Sequence, residues 1–207
     1  MPEREPFNPL GRVALADSVV QRLIAQAAEP LPPARFLGAG IYAIYYHGHE
    51  PMYRTISKGD PAQPIYVGKA VPAGGRIGGF DLTSAVGTAL FSRLGEHGQS
   101  VAAAGFPPED FESRHLVVDD IWIPLAEQLM ITKYRPLWNR VVSGFGNHHP
   151  GRNRTGGARS LWDELHPGRP WATSQPPAMK DVTQIRELIR MHFEGKDVTD
   201  QVGEPES

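Results

Sequence analysis

Two short apolar runs, at residues 40–46 and 65–67, constrain the fold of this chain more than any other feature. The first run is rich in isoleucine and tyrosine and lacks proline, a composition typical of a β-strand. Side chains alternate along a strand, so the run should present two different faces. One face would carry Ile41, Ala43 and Tyr45, and the other Tyr42, Ile44 and Tyr46. The connection between the two runs is short, which favours an antiparallel pair.

Several further stretches have the apolar spacing or the flanking residues of regular elements. Helices are predicted at residues 17–28 with Asp17 or Ser18 as the cap, at 84–97 with Gly98 as the stop, at 124–134 and at 181–193. Residues 111–118 have the composition of a third strand. Glycine-rich residues 72–81 predict a loop, and the acidic residues 196–207 predict a disordered tail. The mixture predicts an α+β protein.

The composition excludes several classes of protein. The chain has 207 residues, of which 40% are hydrophobic and 21% charged, as in ordinary soluble proteins. It contains no cysteine, which excludes disulfides and thiolate metal sites and fits a cytoplasmic location. No stretch approaches the roughly 18 apolar residues that span a bilayer, and no apolar run follows the N-terminus. We therefore expect neither a membrane span nor a secretory signal.

The formal net charge of -2 hides an uneven distribution of basic residues. Residues 135–170 contain six arginines and only two acids. The arginines are Arg135, Arg140, Arg152, Arg154, Arg159 and Arg169. A nucleic-acid-binding protein needs only a local positive surface, because particular basic groups contact the phosphates. The segment therefore indicates either such a surface or a solvated loop whose arginines balance acids elsewhere.

Glu127 lies among apolar residues on the predicted helix 124–134. At about 100° per residue, its neighbours on the helix surface are Ile123, Met130, Ile131 and Tyr134. An unpaired buried carboxylate is costly, so such a glutamate needs a cation, a metal ion or a proton nearby. The alternative is a glutamate at the edge of the helix that pairs with an arginine.

Two further pairs of residues are candidates for chemistry. Arg93 and His97 are four residues apart and therefore neighbours on one helix face. Two basic groups side by side indicate an anion such as a phosphate between them, or else an exposed pair on a solvated helix. The phenols of Tyr42 and Tyr66 should face the same side of the paired strands, either as functional groups or as half-buried sheet tyrosines. Lys69 directly follows the second run.

The order of these residues resembles the signature of the GIY-YIG nuclease superfamily. The matching positions are Gly40-Ile41-Tyr42, Tyr66-Val67-Gly68, Arg93, Glu127 and Asn139. Val67 replaces the usual isoleucine, an exchange that is harmless in a strand. Further segments are most similar to the type II restriction endonucleases that cut a GC-rich hexanucleotide palindrome. They are residues 38–43, 64–72, 93–98, 134–139, 144–148 and 166–169, so the resemblance covers most of the chain.

The resemblance implies a small three-stranded antiparallel sheet flanked by helices, with the active site on its face. It divides the chain into a catalytic core at residues 35–140 and three flanking parts. An N-terminal helical arm would occupy residues 1–34. A DNA-recognition segment and the C-terminal helix would occupy residues 141–195, and the tail residues 196–207.

The resemblance also implies catalytic roles. Glu127 would hold a single divalent ion, most simply Mg²⁺, and Asn139 would support this metal site. Arg93 would neutralise charge on the phosphate, and Tyr66 would position water or phosphate.

Three residues are candidates for transferring the proton of the attacking water. Tyr42 would be the general base, although a free phenol is a poor base at neutral pH. Lys69 or His97 must therefore favour the phenolate or accept its proton. Whether Tyr42, His97 or Tyr66 transfers the proton stays open at this stage.

The implied partner is double-stranded DNA. Arginine can bond O6 and N7 of guanine bidentately, so the arginine-rich segment 135–169 is the candidate for base reading. The predicted DNA-binding residues are Arg76, Arg140, Asn147, His148, Arg152, Arg154 and Arg159. Adjacent histidines on a loop rarely share one metal ion. For His148 and His149 this favours DNA contact by at least one of the two. We interpret Trp138, Trp162 and Trp171 as packing anchors rather than platforms for bases.

One chain carries one signature and should cut one strand. A double-strand break at a palindrome, CCGCGG-like according to the resemblance, then requires a homodimer. A cognate DNA methyltransferase would be the functional partner. Two alternatives remain open: a repair or mobile-element nuclease on the same fold, and a catalytically inactive DNA-binding protein.

Overall fold

The computed structural model of the protein describes residues 11–57, 63–71, 87–148 and 157–202. These residues contain an antiparallel sheet of four strands in the order β1-β4-β2-β3. The strands are β1 (Glu29–Pro30), β2 (Gly40–Tyr46), β3 (Tyr66–Ala70) and β4 (Phe111–Val117). The α+β class and the antiparallel pairing of β2 with β3 are confirmed. The sheet has one strand more than predicted, because β1 is only two residues long and carries no detectable alternation.

Helices surround this sheet. They are α1 (Arg12–Ile24), α2 (Arg54–Ser57), α3 (Ala89–Ala103), α4 (Ile123–Tyr134), α5 (Leu137–Arg140), α6 (Leu161–Leu165), α7 (Pro170–Thr173), α8 (Val182–Phe193) and α9 (Thr199–Val202). Within the described parts of the chain, 3-10 turns occupy Pro51–Tyr53 and Pro108–Asp110. Among the described residues, no helix combines the length and the apolar character needed to cross a membrane.

Both faces of β2 are buried, and they face two different cores. The first core contains Tyr42, Ile44 and Tyr46 from β2, with apolar residues of α3, α5, α6 and α8. The second core contains Ile41, Ala43 and Tyr45 from β2, with apolar residues of α1 and α4. The predicted division of the β2 side chains between two faces is therefore confirmed. The sheet lies between two helical layers.

The first helix begins earlier than predicted. It starts at Arg12 after Gly11, so neither Asp17 nor Ser18 caps it. Asp17 lies inside the helix and accepts a hydrogen bond from Nζ of Lys133 on α4 at 2.9 Å. The apolar stripe extends one turn further towards the N-terminus than expected, since Ala16 is also buried.

The prediction that Gly98 ends the second long helix is wrong. Gly98 lies within α3, which continues to Ala103. A Cβ atom at this position would lie 2.9 Å from Cδ of Pro32. Glycine is therefore needed here for close packing against the chain before β2 and not for a left-handed helix end.

The C-terminal part packs on the first core. Asp181 caps α8 through a capping box with Gln184, and Ile185, Leu188 and Ile189 are buried, as the predicted stripe requires. Residues 196–202 are more ordered than the predicted tail, because Val198 is buried and α9 follows it. The predicted loop at residues 72–81 lies outside the described residues.

Candidate active site

Two tyrosines of the sheet lie side by side on the face of the first core. Tyr42 is in register with Gly68, and Ile44 is in register with Tyr66, so both tyrosine side chains leave the sheet on the same side. Their ring centroids are 6.2 Å apart. The prediction that the two phenols share a side is therefore confirmed.

Gly68 makes this close approach possible. A Cβ atom at residue 68 would overlap the hydroxyl group of Tyr42 and would lie 3.0 Å from Cε1 of Tyr66. Glycine alone leaves room for both rings beside the strand. The glycine that follows Val67 therefore has a steric role in seating the two phenols.

Tyr42 and His97 form a buried hydrogen-bonded pair. The Tyr42 hydroxyl is 2.6 Å from Nε2 of His97, and each residue is only 1% exposed. Burial raises the pKa of Tyr42 well above its usual value near 10, Tyr66 adds to this rise, and the charge of Arg93 opposes it. The pair therefore consists of a neutral phenol beside an imidazole.

The imidazole of His97 is also neutral. Burial lowers the pKa of His97 well below its usual value near 6.5, and the positive charges of Arg93, Arg169 and His148 act in the same direction. A neutral imidazole can accept a proton through one ring nitrogen. The alternative of an exposed Arg93–His97 pair is wrong for His97, because this residue lies in the first core.

Arg93 precedes His97 by one turn of α3 and reaches the same place. Its Nη1 donates to Oε2 of Glu96 at 2.6 Å and lies 3.0 Å from Nε2 of His148. Its Nη2 donates to the carbonyl oxygen of Gly146. The positive charge of Arg93 lowers the pKa of Tyr42 and of Tyr66 against the effect of burial. The guanidinium thus acts electrostatically on both phenols.

The loop 144–148 covers this group of side chains. The ring of Phe145 stacks on His97 at 4.5 Å between centroids and meets Tyr66 edge-on at 5.0 Å. A Cβ atom at Gly146 would overlap the Tyr66 hydroxyl. Sequence reasoning gave neither Phe145 nor Gly146 a role. Two glycines around one aromatic residue were the available signal, since glycine marks close approach of the backbone.

Glu127 lies on the other side of the sheet. α4 packs in the second core, whereas both tyrosines belong to the first. Oε2 of Glu127 is 2.7 Å from Nζ of Lys69, and the Glu127 side chain is 19% exposed. The compensating cation is therefore Lys69 and not an arginine. The resemblance implied an active site on one face of the sheet, and this is wrong for the helix of Glu127, because spacing along the chain does not reveal which face a helix covers.

The phenols on one face of the sheet and Glu127 on the other meet around β3, an edge strand of the described sheet. Asn139 braces this edge: its Oδ1 accepts from the Val67 N–H, and its Nδ2 donates to the Val67 carbonyl, both at 2.8 Å. The carboxylate of Glu127 raises the pKa of Tyr42 and of Tyr66. Glu127 is therefore within electrostatic reach of the phenols despite lying on the opposite face.

Glu127 fits a hard divalent cation. No group of three or more His, Cys, Asp or Glu side chains gathers at one point within the described parts of the chain. Mg²⁺ keeps several waters and binds proteins through one or two carboxylates, so a single partly exposed glutamate suits it. Imidazole or thiolate sites for softer metals have no counterpart in this donor set.

The predicted DNA-binding residues fall into two groups. Arg76, Arg152 and Arg154 lie outside the described residues, as does His149. The others are described: Arg140 is half-buried at the end of α5, Arg159 is half-buried, and Asn147 and His148 are exposed. DNA contact by these residues stays a prediction.

The two acids of the arginine-rich segment neutralise two of its arginines. Arg159 pairs with Glu164 at 3.2 Å, and its guanidinium also donates to two carbonyl oxygens. Arg169 is 4% exposed and pairs with Asp163 at 2.6 Å. Base reading by the whole segment is therefore wrong for Arg169. Trp162 is buried, as its interpretation as a packing anchor requires.

Comparison with known families identifies the class of protein. A family model described as the Eco29kI GIY-YIG domain matches residues 34–193, which is most of the chain. The protein therefore belongs to the Eco29kI family of GIY-YIG restriction endonucleases and is a nuclease that acts on DNA. A comparison with individual curated proteins found no match.

Proposed function

We propose that this protein is a type II restriction endonuclease that requires Mg²⁺ and cuts both DNA strands at a short GC-rich palindrome. Membership of the family supports the cleavage of DNA. The observation that carries the proposal is the buried hydrogen bond between Tyr42 and His97, beside the charge of Arg93. A catalytically inactive DNA-binding protein has no need of a buried pathway for a proton.

Tyr42 takes the proton of the attacking water and passes its own proton to His97. Burial makes a free phenolate unfavourable, because it raises the pKa of Tyr42. Transfer to His97 avoids a free phenolate, since the phenol proton moves to Nε2 as the water proton arrives and an imidazolium forms. The water oxygen then bonds to phosphorus and the bond to the 3′ oxygen breaks. That oxygen takes a proton from solvent, and His97 releases its own.

Arg93 binds the non-bridging oxygens of the scissile phosphate. A charge-assisted hydrogen bond at this place is strong because the arginine side chain is only 15% exposed. Glu96 and His148, its present partners, are 48% and 61% exposed, so both can turn towards solvent when the phosphate arrives. Tyr66 positions the water or the phosphate from the neighbouring strand.

Glu127 holds the single Mg²⁺. When bound there, the ion stabilises negative charge on the phosphate and on the departing oxygen. Lys69 pairs with this carboxylate and keeps it at the β3 edge. Asn139 supports the arrangement from the same edge by fixing Val67, whose neighbour Tyr66 belongs to the site.

Cleavage of a palindrome needs two copies of the site. We therefore propose a homodimer whose two-fold axis coincides with that of the DNA. A mixed dimer of wild-type and Glu127→Ala chains should nick one strand and leave the other intact. The functional partner is a DNA methyltransferase that protects the host sequence, and both enzymes would work in the cytoplasm.

Base reading is assigned to Arg140, Arg152 and Arg154, with Arg76, Asn147, His148 and Arg159 as further DNA contacts. Arginine at guanine would account for a GC-rich site. Footprinting that places these residues far from the bases would remove this assignment.

Plasmid cleavage tests the proposed function. The purified protein is incubated with plasmid DNA with and without Mg²⁺, and the fragment ends are sequenced. We expect discrete fragments that share one palindromic end sequence and appear only with the metal. Unspecific nicking would indicate a repair or mobile-element type of nuclease, and a gel shift without cleavage would indicate a binding protein. Either result would contradict the proposal.

A further inference from the structure

Arg169 is buried at the centre of a hydrogen-bond network outside the catalytic set. All five N–H groups of its guanidinium have a partner in the described structure. Nε and Nη2 donate to the two carboxylate oxygens of Asp163, each at 2.6 Å. Nη2 also donates to the Gly144 carbonyl at 2.8 Å, and Nη1 donates to the Phe145 and Asn147 carbonyls at 3.1 and 3.2 Å.

Aromatic rings enclose the same guanidinium. It lies 4.6 Å from the ring centroid of Trp162 and 4.7 Å from that of Trp171. Asp163 is itself fixed, since its Oδ2 accepts from the Ser160 hydroxyl at 2.6 Å. A buried ion pair contributes little net stability relative to apolar packing, but it fixes geometry where each of its donors is used. A network this complete defines the position of whatever backbone it binds.

The backbone that Arg169 binds is the loop that covers the active site. Phe145 of this loop stacks on His97, and the Gly146 carbonyl accepts from Arg93. Arg169 binds the carbonyls of Gly144, Phe145 and Asn147, which include or directly flank Phe145 and Gly146. A shift of the loop would therefore move the groups that touch His97 and Arg93.

We propose that Arg169, held by Asp163, is a positioning residue that fixes the loop 144–148 and thereby orients Arg93 and His97 for cleavage. The inference rests on the proposed function, because it assigns an indirect role in the same reaction. Arg169 touches no reacting atom. Its positive charge also contributes to the lowered pKa of His97.

Arg169→Lys tests this role. Lysine keeps the positive charge opposite Asp163 but cannot bind three carbonyls and a carboxylate together. Single-turnover cleavage should fall about 100-fold, as for a reactive group misplaced by about 1 Å. Asp163→Asn keeps the size of the side chain and is the second variant should Arg169→Lys fail to fold. The same result is expected for it.

Leu188→Ala is the control for a general loss of stability. Leu188 lies in the first core on α8 and has an apolar side chain, so its truncation lowers the melting temperature without removing a hydrogen bond to the loop carbonyls. Folded Leu188→Ala protein should cleave at nearly the wild-type rate. Equal losses of cleavage in this control and in Arg169→Lys would overturn the inference.

A second readout is independent of catalysis. In protein with labelled histidine, the NMR signal of the His97 ring reports the stacked ring of Phe145. This signal should shift in Arg169→Lys and stay in place in Leu188→Ala. Wild-type cleavage by Arg169→Lys, or an unchanged His97 signal, would overturn the inference. Failure of the wild-type protein to cleave DNA would instead contradict the proposed function, so the two failures are distinguishable.

Discussion

The hydroxyl of Tyr42 lies 2.6 Å from Nε2 of His97, and both residues are buried where β2 meets α3. Neither partner is ionised, because burial shifts the two pKa values in opposite directions. The arrangement is suited to relaying a proton from the phenol to the imidazole without a free phenolate. It is the feature of this structure from which the catalytic account follows.

Removing the hydroxyl should stop proton transfer while leaving DNA binding intact. For Tyr42→Phe we expect a loss of cleavage rate of about 100-fold or more, the usual contribution of acid–base catalysis. Stability should fall by about 1–3 kcal/mol, because the Nε2 atom of His97 loses its partner. Single-turnover cleavage and urea unfolding measure the two effects.

Tyr45→Phe is the matched control. Tyr45 lies on the other face of the same strand, and its buried hydroxyl has no hydrogen-bond partner among the described residues. Its removal should neither slow cleavage nor lower stability. A large loss of cleavage in Tyr45→Phe would show that any change in β2 disturbs the site, and the specific role of Tyr42 would be lost.

Glu127→Gln should bind DNA and fail to cleave it. The amide keeps the size of the side chain but loses the charge that attracts a hard cation. Activity should fall by at least about 100-fold and recover partly at high Mg²⁺ concentration. Glu112→Gln is the control, because Glu112 is on β4 and pairs only with the exposed His47 among the described residues. Wild-type cleavage by Glu127→Gln would remove the proposed metal site.

A methyl group at residue 146 should damage the site by steric conflict. The Cβ atom of Gly146→Ala would overlap the Tyr66 hydroxyl and lie 3.3 Å from Nη2 of Arg93. We expect cleavage to fall about 10-fold or more, since small displacements of catalytic groups are costly. Gly95→Ala is the control on α3, where a Cβ meets nothing within 4 Å. It should retain cleavage and gain up to about 1 kcal/mol of stability.

Acid should destabilise the protein through its buried neutral histidines. Burial lowers the pKa of His166 to about 3 and that of His97 well below 6.5. The two imidazoles therefore bind protons in the unfolded state but not in the folded state. As a result, the free energy of unfolding falls as the pH drops below about 6.5. Between pH 7.5 and 5.5 we expect a loss on the order of 1 kcal/mol for each histidine.

His166→Gln should remove the contribution of one histidine to the loss of unfolding free energy between pH 7.5 and 5.5, as measured by urea unfolding at the two pH values. Equal stability of the wild-type protein at pH 7.5 and 5.5 would contradict the assignment of neutral buried imidazoles.

Local patterns in the sequence predicted the parts of the site that depend on one element. Alternation along β2 placed Tyr42 and Tyr45 on opposite faces, and helical spacing placed Arg93 beside His97. Both predictions need only the geometry of a strand or a helix. The side of the sheet that α4 covers depends on the path of the chain between elements. For this reason the position of Glu127 relative to the phenols was not predictable.

The prediction of base reading by Arg169, in the arginine-rich segment, was wrong for a different reason. Composition predicts a basic surface but does not tell which arginines are neutralised inside the protein. Asp163 and Trp162 stand close to Arg169 in the sequence, and a carboxylate and an aromatic ring are the usual partners of a buried guanidinium. This local signal was present. The three carbonyls of loop 144–148 that complete the network come from a distant part of the chain, and only the fold brings them there.

A crystal structure of Tyr42→Phe with uncut DNA and Mg²⁺ would show whether groups from both sheet faces act on one phosphate around β3. We expect the ion on the Glu127 carboxylate and the scissile phosphate between that ion and Arg93, with the aromatic ring of residue 42 next to the attacking water. An ion bound away from Glu127, or a phosphate that contacts only one face of the sheet, would contradict this expectation.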